Sequence, residues 1–235
     1  MNTSASKSMV ADAMKYLFDR IIRFIHKKDW ERLEASLSNP TSFKVLSDLI
    51  ANCEEFNGMT LIHACVRYDP PIQLLDKMIK LCPEALESGD RLGRTPLHVA
   101  VGCEVSQMVI KLLTVNYPQA CSVQDDDGRT PLHYACDSSC KLFEDDESSL
   151  PRGPPSFETV RVLISGSLHA VTLEDGDEMN ALEYAIVSDA PIEVVELLQK
   201  ASQRAMKKAK SNSNAQEIEF EKLSLVAASR RLLVK

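Results

Sequence analysis

Aliphatic side chains recur along the chain in four short segments, each with the spacing of one helical face. Within each segment they fall at positions i, i+3 and i+4, which is typical of a helix with one buried stripe. The four stripes are Leu74, Leu75, Met78 and Ile79; Val109, Ile110, Leu112 and Leu113; Val160, Val162, Leu163 and Ile164; and Val194, Val195, Leu197 and Leu198. The pattern therefore predicts four helices that are each buried along one side.

A turn and a shorter helix are predicted before each stripe. Threonine or asparagine stands at the N-cap, and proline follows in two copies, at the helical position that needs no backbone N–H. Glycine two residues before the cap suits a turn with positive φ. The fourth copy has Glu178 in that place, so its turn can differ, and Glu183 completes a capping-box pattern. The motif residues are Gly58, Thr60 and His63; Gly93, Thr95, Pro96, Leu97 and His98; Gly128, Thr130, Pro131, Leu132 and His133; and Asn180 and Leu182.

The copies follow one another at a fixed period. His63 and His98 are 35 residues apart, as are His98 and His133, whereas the fourth copy follows the third by 50 residues. The 15 surplus residues fall in 141–156, which is rich in acidic residues, serine and proline. We expect this insertion to be a mobile surface loop at the edge opposite the hairpin turns, and dispensable for folding.

The repeated unit resembles the ankyrin repeat. Two Thr-Pro-Leu-His motifs in register, with a third close variant, carry the resemblance, which covers about residues 52–206. It implies an all-α solenoid of helix–turn–helix–hairpin units at about 56–90, 91–125, 126–175 and 176–206. The family's usual period is 33, so the longer period here indicates different loop lengths.

The two ends of the chain differ from the repeats. Residues 1–51 are expected to form a helical N-terminal cap, with Asp29 capping a helix over 30–37. Residues 207–235 are expected to hold a flexible polar linker, 207–214, and then a possible helix, 215–235. The apolar stripe of the N-terminal cap consists of Met14, Leu17, Phe18, Ile21, Ile22 and Ile25, with Phe24 at its border.

Charge and cysteine usage narrow the function. The net charge is −7, and residues 51–199 hold 10 Lys and Arg against 25 Asp and Glu. This acidic body disfavours nucleic acid on the array and favours a basic protein partner. Seven cysteines, an odd number without C-x-x-C spacing, indicate reduced thiols and an intracellular location. The cytoplasm is favoured over the nucleus, because Lys207-Lys208-Ala209-Lys210 is too short a basic cluster for a nuclear signal. We expect neither a secretory signal nor a membrane span.

Two metal sites can be weighed against structural roles. Histidines of stacked repeats would lie roughly 10 Å apart, which is too far for them to share one metal ion. We therefore expect each histidine to form hydrogen bonds with the turn of its own repeat and with the turn of the neighbouring repeat. His133, Cys136 and Cys140 share one helical face, but the sequence indicates no fourth ligand. We therefore favour buried cysteines that pack in the core over a zinc site. No catalytic or cofactor motif occurs, so we expect no enzyme and no cofactor.

What the resemblance implies about function is binding of a protein partner across a concave face. That face is lined by hairpin tips and by the exposed ends of the first helices, and arginine and tyrosine are frequent interface anchors. Carried over by register, the candidate contacts are Arg67, Tyr68, Arg94, Asp127, Arg129, Asp137 and Asp177. Two alternatives remain: a non-catalytic subunit that regulates an enzyme, and a membrane or polyanion tether. The tether would use Lys207, Lys208, Lys210, Arg230 and Arg231. The oligomeric state is left open.

Overall fold

A computed structural model describes residues 16–37, 43–44, 47, 50, 57–143 and 152–211. These residues are helical with connecting turns and contain no strand, only an isolated bridge between Glu174 and Asn180. The prediction of an all-α chain is confirmed for this part. The helices are α1 (16–26), α2 (Trp30–Ser36), α3 (Leu61–Val66), α4 (Ile72–Leu81), α5 (Pro96–Gly102), α6 (Gln107–Asn116), α7 (Pro131–Cys136), α8 (Phe157–Gly166), α9 (Ala181–Val187) and α10 (192–211).

Four helix pairs follow the predicted units: α3 with α4, α5 with α6, α7 with α8, and α9 with α10. Short 3₁₀ turns at Pro83–Leu86, Pro118–Ser122 and Leu168–Thr172 close the first three pairs. The aliphatic stripes face inward as predicted, and Leu75, Val109, Leu163 and Leu198 are buried. Each pair is therefore built from the residues that repeat along the chain.

Successive pairs pack on one another in chain order. The first helices stack as α3 on α5, α5 on α7 and α7 on α9, while α4 packs on α6 and α6 on α8. Small residues allow this close approach, since Ala64, Ala100 and Ala185 are fully or almost fully buried. A second row of contacts joins neighbouring hairpins, because the N–H groups of Arg91, Asp126 and Gly176 donate to the carbonyls of Asn57, Leu92 and Asp127.

The N-terminal helix pair packs against the first unit. Asp29 caps α2, as predicted, by accepting a hydrogen bond from the N–H of Arg32 at 3.3 Å. Ile21 and Ile25 of α1 are buried, and Leu33 of α2 joins the same core. Met14 of the predicted stripe, like most of residues 38–56, lies outside the described residues.

The C-terminal boundary needs a correction. Residues 207–211 were expected to begin a flexible linker, but they continue α10 to residue 211. Lysine has a high helix propensity, so Lys207, Lys208 and Lys210 can extend the helix. Their side chains are exposed. The predicted helix over 215–235, with Arg230 and Arg231, lies outside the described residues.

The sequence suggested a different turn in the fourth unit, where Glu178 replaces glycine. The structure shows that this turn has the same backbone geometry as the others. Gly58, Gly93 and Gly128 have φ between 73° and 78°, and Glu178 adopts φ 60° in the equivalent place. The hydrogen bonds of the turn hold this conformation, with the N–H of Glu178 donating to the carbonyl of Asp175 at 3.0 Å.

Candidate partner-binding surface

Three histidines connect each unit to the next. The backbone N–H of Thr60 donates to Nδ1 of His63 at 3.2 Å, so in the neutral ring Nε2 carries the proton. Nε2 then donates to the carbonyl of Arg94 in the next hairpin, at 2.9 Å. The same pair of contacts recurs from Thr95 and His98 to Arg129, at 3.0 and 3.1 Å, and from Thr130 and His133 to Met179, at 3.0 and 3.1 Å. The prediction of a hydrogen-bonded histidine ladder is confirmed.

Burial keeps these imidazoles neutral. It lowers the pKa of His63 and of His98 to about 4 each, and it lowers the pKa of His133 as well. Both nitrogens of each ring are already hydrogen-bonded, so neither is available to a metal ion. Within the described residues, no three His, Cys, Asp or Glu side chains group as a metal site.

The two cysteines of the suggested zinc triad are packing residues. Cys136 is fully buried in α7, and Cys140 is almost fully buried just beyond its end. Burial raises the pKa of the Cys136 thiol to about 12 and also raises that of Cys140. Both thiols therefore lie in the packed interior, in keeping with the packing role that the sequence favours.

An aspartate organises each of the last three hairpins, and sequence reasoning missed it. Oδ1 of Asp90, Asp125 and Asp175 accepts hydrogen bonds from the N–H groups two and four residues later, at 2.8–3.1 Å. The second oxygen of Asp125 accepts from the hydroxyl of Tyr134, and that of Asp175 from Tyr184, each at 2.6 Å. The signal was present: Asp90 and Asp125 are 35 residues apart, and each tyrosine follows its aspartate by nine.

Arg94 and Arg129 serve inside the array. Arg94 is 5% exposed, and Nη2 lies 2.7 Å from Oδ2 of Asp90. Arg129 donates to Oδ2 of Asp137 at 3.1 Å and to the hydroxyl of Tyr184 at 2.5 Å. Both guanidinium groups are thus held by contacts within the chain and do not project freely from the hairpins as partner anchors.

Asp137 is likewise committed, because it is buried and Oδ1 accepts from both the N–H and the hydroxyl of Ser139 at 2.9 and 2.6 Å. Tyr68 is half-buried, with its ring 5.4 Å from that of His26 in α1. Arg67 lies over two rings, at 5.4 Å from Tyr68 and 3.8 Å from Phe143. Tyr68 therefore helps to join the N-terminal helix pair to the first unit.

Asp127 and Asp177 are the predicted contacts that face solvent. They lie on the third and fourth hairpins, and with Asp126, Glu174 and Glu178 they form what we call the acidic hairpin surface. Gln124 fixes the two hairpins to each other, because Nε2 donates to the carbonyls of Gly128 and Glu174 at 2.7 and 2.8 Å. The surface is thus a shallow acidic cleft between two hairpins that are hydrogen-bonded to each other.

The ends of the insertion make contacts that sequence reasoning missed. The guanidinium of Arg152 donates to the carbonyls of Val101, Tyr134 and Asp137 at 2.9–3.2 Å. On the other side, Leu142 and Phe143 lie against the first and second units, where the carbonyl of Leu142 accepts from Arg94 at 3.2 Å. The insertion therefore reaches a hairpin residue and is not confined to the opposite edge. Residues 144–151, where mobility was expected, lie outside the described residues.

Comparison with known proteins supports the family over one segment. Residues 78–135 match the family model described as ankyrin repeats (many copies). This segment, which runs from the end of α4 into α7, is therefore similar to ankyrin repeats. No curated protein matches the chain. In the described part of the chain, no helix is both long and apolar enough to cross a membrane.

Proposed function

We propose that the four helix pairs form one ankyrin solenoid, with α1 and α2 as its N-terminal cap, and that this array is an adaptor holding a protein partner. The ladder through His63, His98 and His133 supports the first part, because it ties each hairpin to the helix before it. Ankyrin repeats generally mediate protein–protein interaction, which supports the second part.

The acidic hairpin surface carries the proposal for where the partner binds. Its five carboxylates are exposed, whereas Arg129, which lines the same cleft, is paired with Asp137 and Asp175. A surface of one sign attracts the opposite sign over a distance and speeds encounter. The favoured partner is therefore a protein with a basic segment that lies across the third and fourth hairpins, on the concave side of the array. Asp127 and Asp177 are the predicted contacts retained here.

Charge reversal tests this proposal. A partner captured from the native source would be titrated against the parent chain and against Asp127→Lys/Asp177→Lys. Loss of opposite charge at the contact should lower the association rate at low salt by at least tenfold. The control is Glu87→Lys/Glu193→Lys, which makes the same change in net charge at two other exposed positions. Equal rates for the two double variants would exclude the acidic hairpin surface as the binding site.

A further inference from the structure

The first and second units already hold a short stretch of the chain. Leu142 and Phe143, at the start of the insertion, are partly buried against Arg67, Arg94 and Gly102. We call this place the Gly102 hollow. The contact is non-local, since the carbonyl of Leu142 accepts from Nη1 of Arg94, 48 residues earlier, at 3.2 Å.

Absence of a side chain at Gly102 creates the hollow. A Cβ built there would lie 1.4 Å from Cδ1 of Leu142, so the leucine fills the volume of the missing side chain. The equivalent positions of the other units carry Arg67, Asp137 and Val187. The backbone of Gly102 lies outside the left-handed region, so turn geometry does not require glycine here. Space for Leu142 is the feature that distinguishes this position.

Two guanidinium groups complete the hollow for an aromatic ring. The carbon Cζ of Arg67 lies 3.8 Å from the ring centroid of Phe143, and that of Arg94 lies 5.3 Å from it. Cations over an aromatic face are attracted by the negative face of the ring. Arg94 is also fixed by Asp90, at 2.7 Å, so this part of the hollow is held in place by the array itself.

We propose that the Gly102 hollow is a binding site for a leucine followed by an aromatic residue in a protein partner, and that Leu142–Phe143 occupies it as a built-in ligand. This inference rests on the proposed function only in that the array binds proteins. A partner segment with the same two side chains competes with the tethered pair. A tethered ligand has an effective concentration on the order of millimolar, so it lowers the apparent affinity of a competitor.

The test uses two synthetic peptides and the full chain. One peptide has the sequence of residues 141–147, and the other replaces its leucine and phenylalanine by alanine while keeping every charge. Binding is followed by NMR shifts of the Gly102 amide and of the arginine Nε–H groups. We expect the first peptide to bind Leu142→Ala/Phe143→Ala, whose hollow is vacated, at least tenfold more tightly than the parent. The alanine peptide should bind neither protein.

A further variant shows whether the hollow itself binds the peptide. Adding Gly102→Leu to the vacated chain fills the space of Leu142 and should abolish peptide binding. Phe143→Ala alone keeps Leu142 in place and should give an intermediate gain in affinity for the peptide. This variant replaces the double variant in the test if the double variant does not fold. The proposal would be overturned if the 141–147 peptide bound the parent as tightly as it bound the double variant or the Phe143→Ala variant. It would also be overturned if the alanine peptide bound, or if the 141–147 peptide still bound after Gly102→Leu was added. No natural partner is used, so failure here leaves the acidic hairpin surface standing, and failure of the charge reversal leaves the hollow standing.

Discussion

Acid should destabilise the array through the histidine ladder. The perturbation is a change from pH 7.5 to pH 5. Burial lowers the pKa of His63 and of His98 to about 4, against about 6.5 for histidine in an unfolded chain. Between these two values the unfolded chain binds protons that the folded chain does not, so the free energy of unfolding falls as pH falls through this window.

The size of the effect follows from the same pKa values. At pH 5 each of His63 and His98 should lower the free energy of unfolding by about 2 kcal/mol relative to pH 7.5. His133 contributes in the same direction. Asp175 acts in a lower window. Burial alone would raise the pKa of its carboxyl, but hydrogen bonds from Tyr184, Met179 and Asp177 lower it, so its contribution is lost only as pH falls below about 4.

The assay is urea unfolding at both pH values, followed by circular dichroism, for the parent and for His98→Gln. Glutamine can still accept from the N–H of Thr95, as Glu183 accepts from Asn180 in the fourth unit, but it does not titrate. The variant should be less stable at pH 7.5 and should lose about 2 kcal/mol less than the parent on going to pH 5. His169→Gln, on an exposed side chain, should keep the full loss. If His98→Gln lost as much stability as the parent, the buried neutral histidine would not be the cause.

Four further changes test the packing. Leu97→Ala, in the buried α5, should lower the free energy of unfolding by about 2–5 kcal/mol, whereas exposed Val115→Ala should change the urea midpoint little. Asn180→Ala removes the cap of α9 and should cost about 1 kcal/mol by the same assay; an unchanged midpoint would contradict that role. Replacing 144–151 by a short glycine–serine linker should preserve cooperative unfolding, but Arg152→Ala should cost about 2 kcal/mol or more, since it removes three charge-assisted hydrogen bonds to the carbonyls of Val101, Tyr134 and Asp137.

Local signals in the sequence were sufficient to predict the units. Threonine, proline and histidine at a spacing of 35 residues mark where the first helices begin, and the same spacing places each imidazole beside the next hairpin. The aliphatic stripes identify the second helices because an i, i+3, i+4 pattern is a property of one helix alone. Asp29 was found in the same way, as a cap that acts three residues away.

The binding surface could not be predicted as well, because it depends on contacts between distant parts of the chain. Arg94 was predicted from its register to contact a partner, yet it is buried, where it pairs with Asp90 and donates to the carbonyl of Leu142. Arg129 is held by Tyr184, which is 55 residues away. The Gly102 hollow could not be predicted because it depends on the contact between Gly102 in the second unit and Leu142 in the insertion of the third unit.

Hydrogen exchange of the chain with and without its captured partner tests the central proposal most directly. Backbone amides of an exposed hairpin exchange through local opening, and a bound partner slows that opening. The account predicts slower exchange in the third and fourth hairpins, at 125–129 and 175–179, with α4, α6 and α8 unchanged. Protection confined to α4, α6 and α8, with both hairpins exchanging as in the free chain, would contradict it.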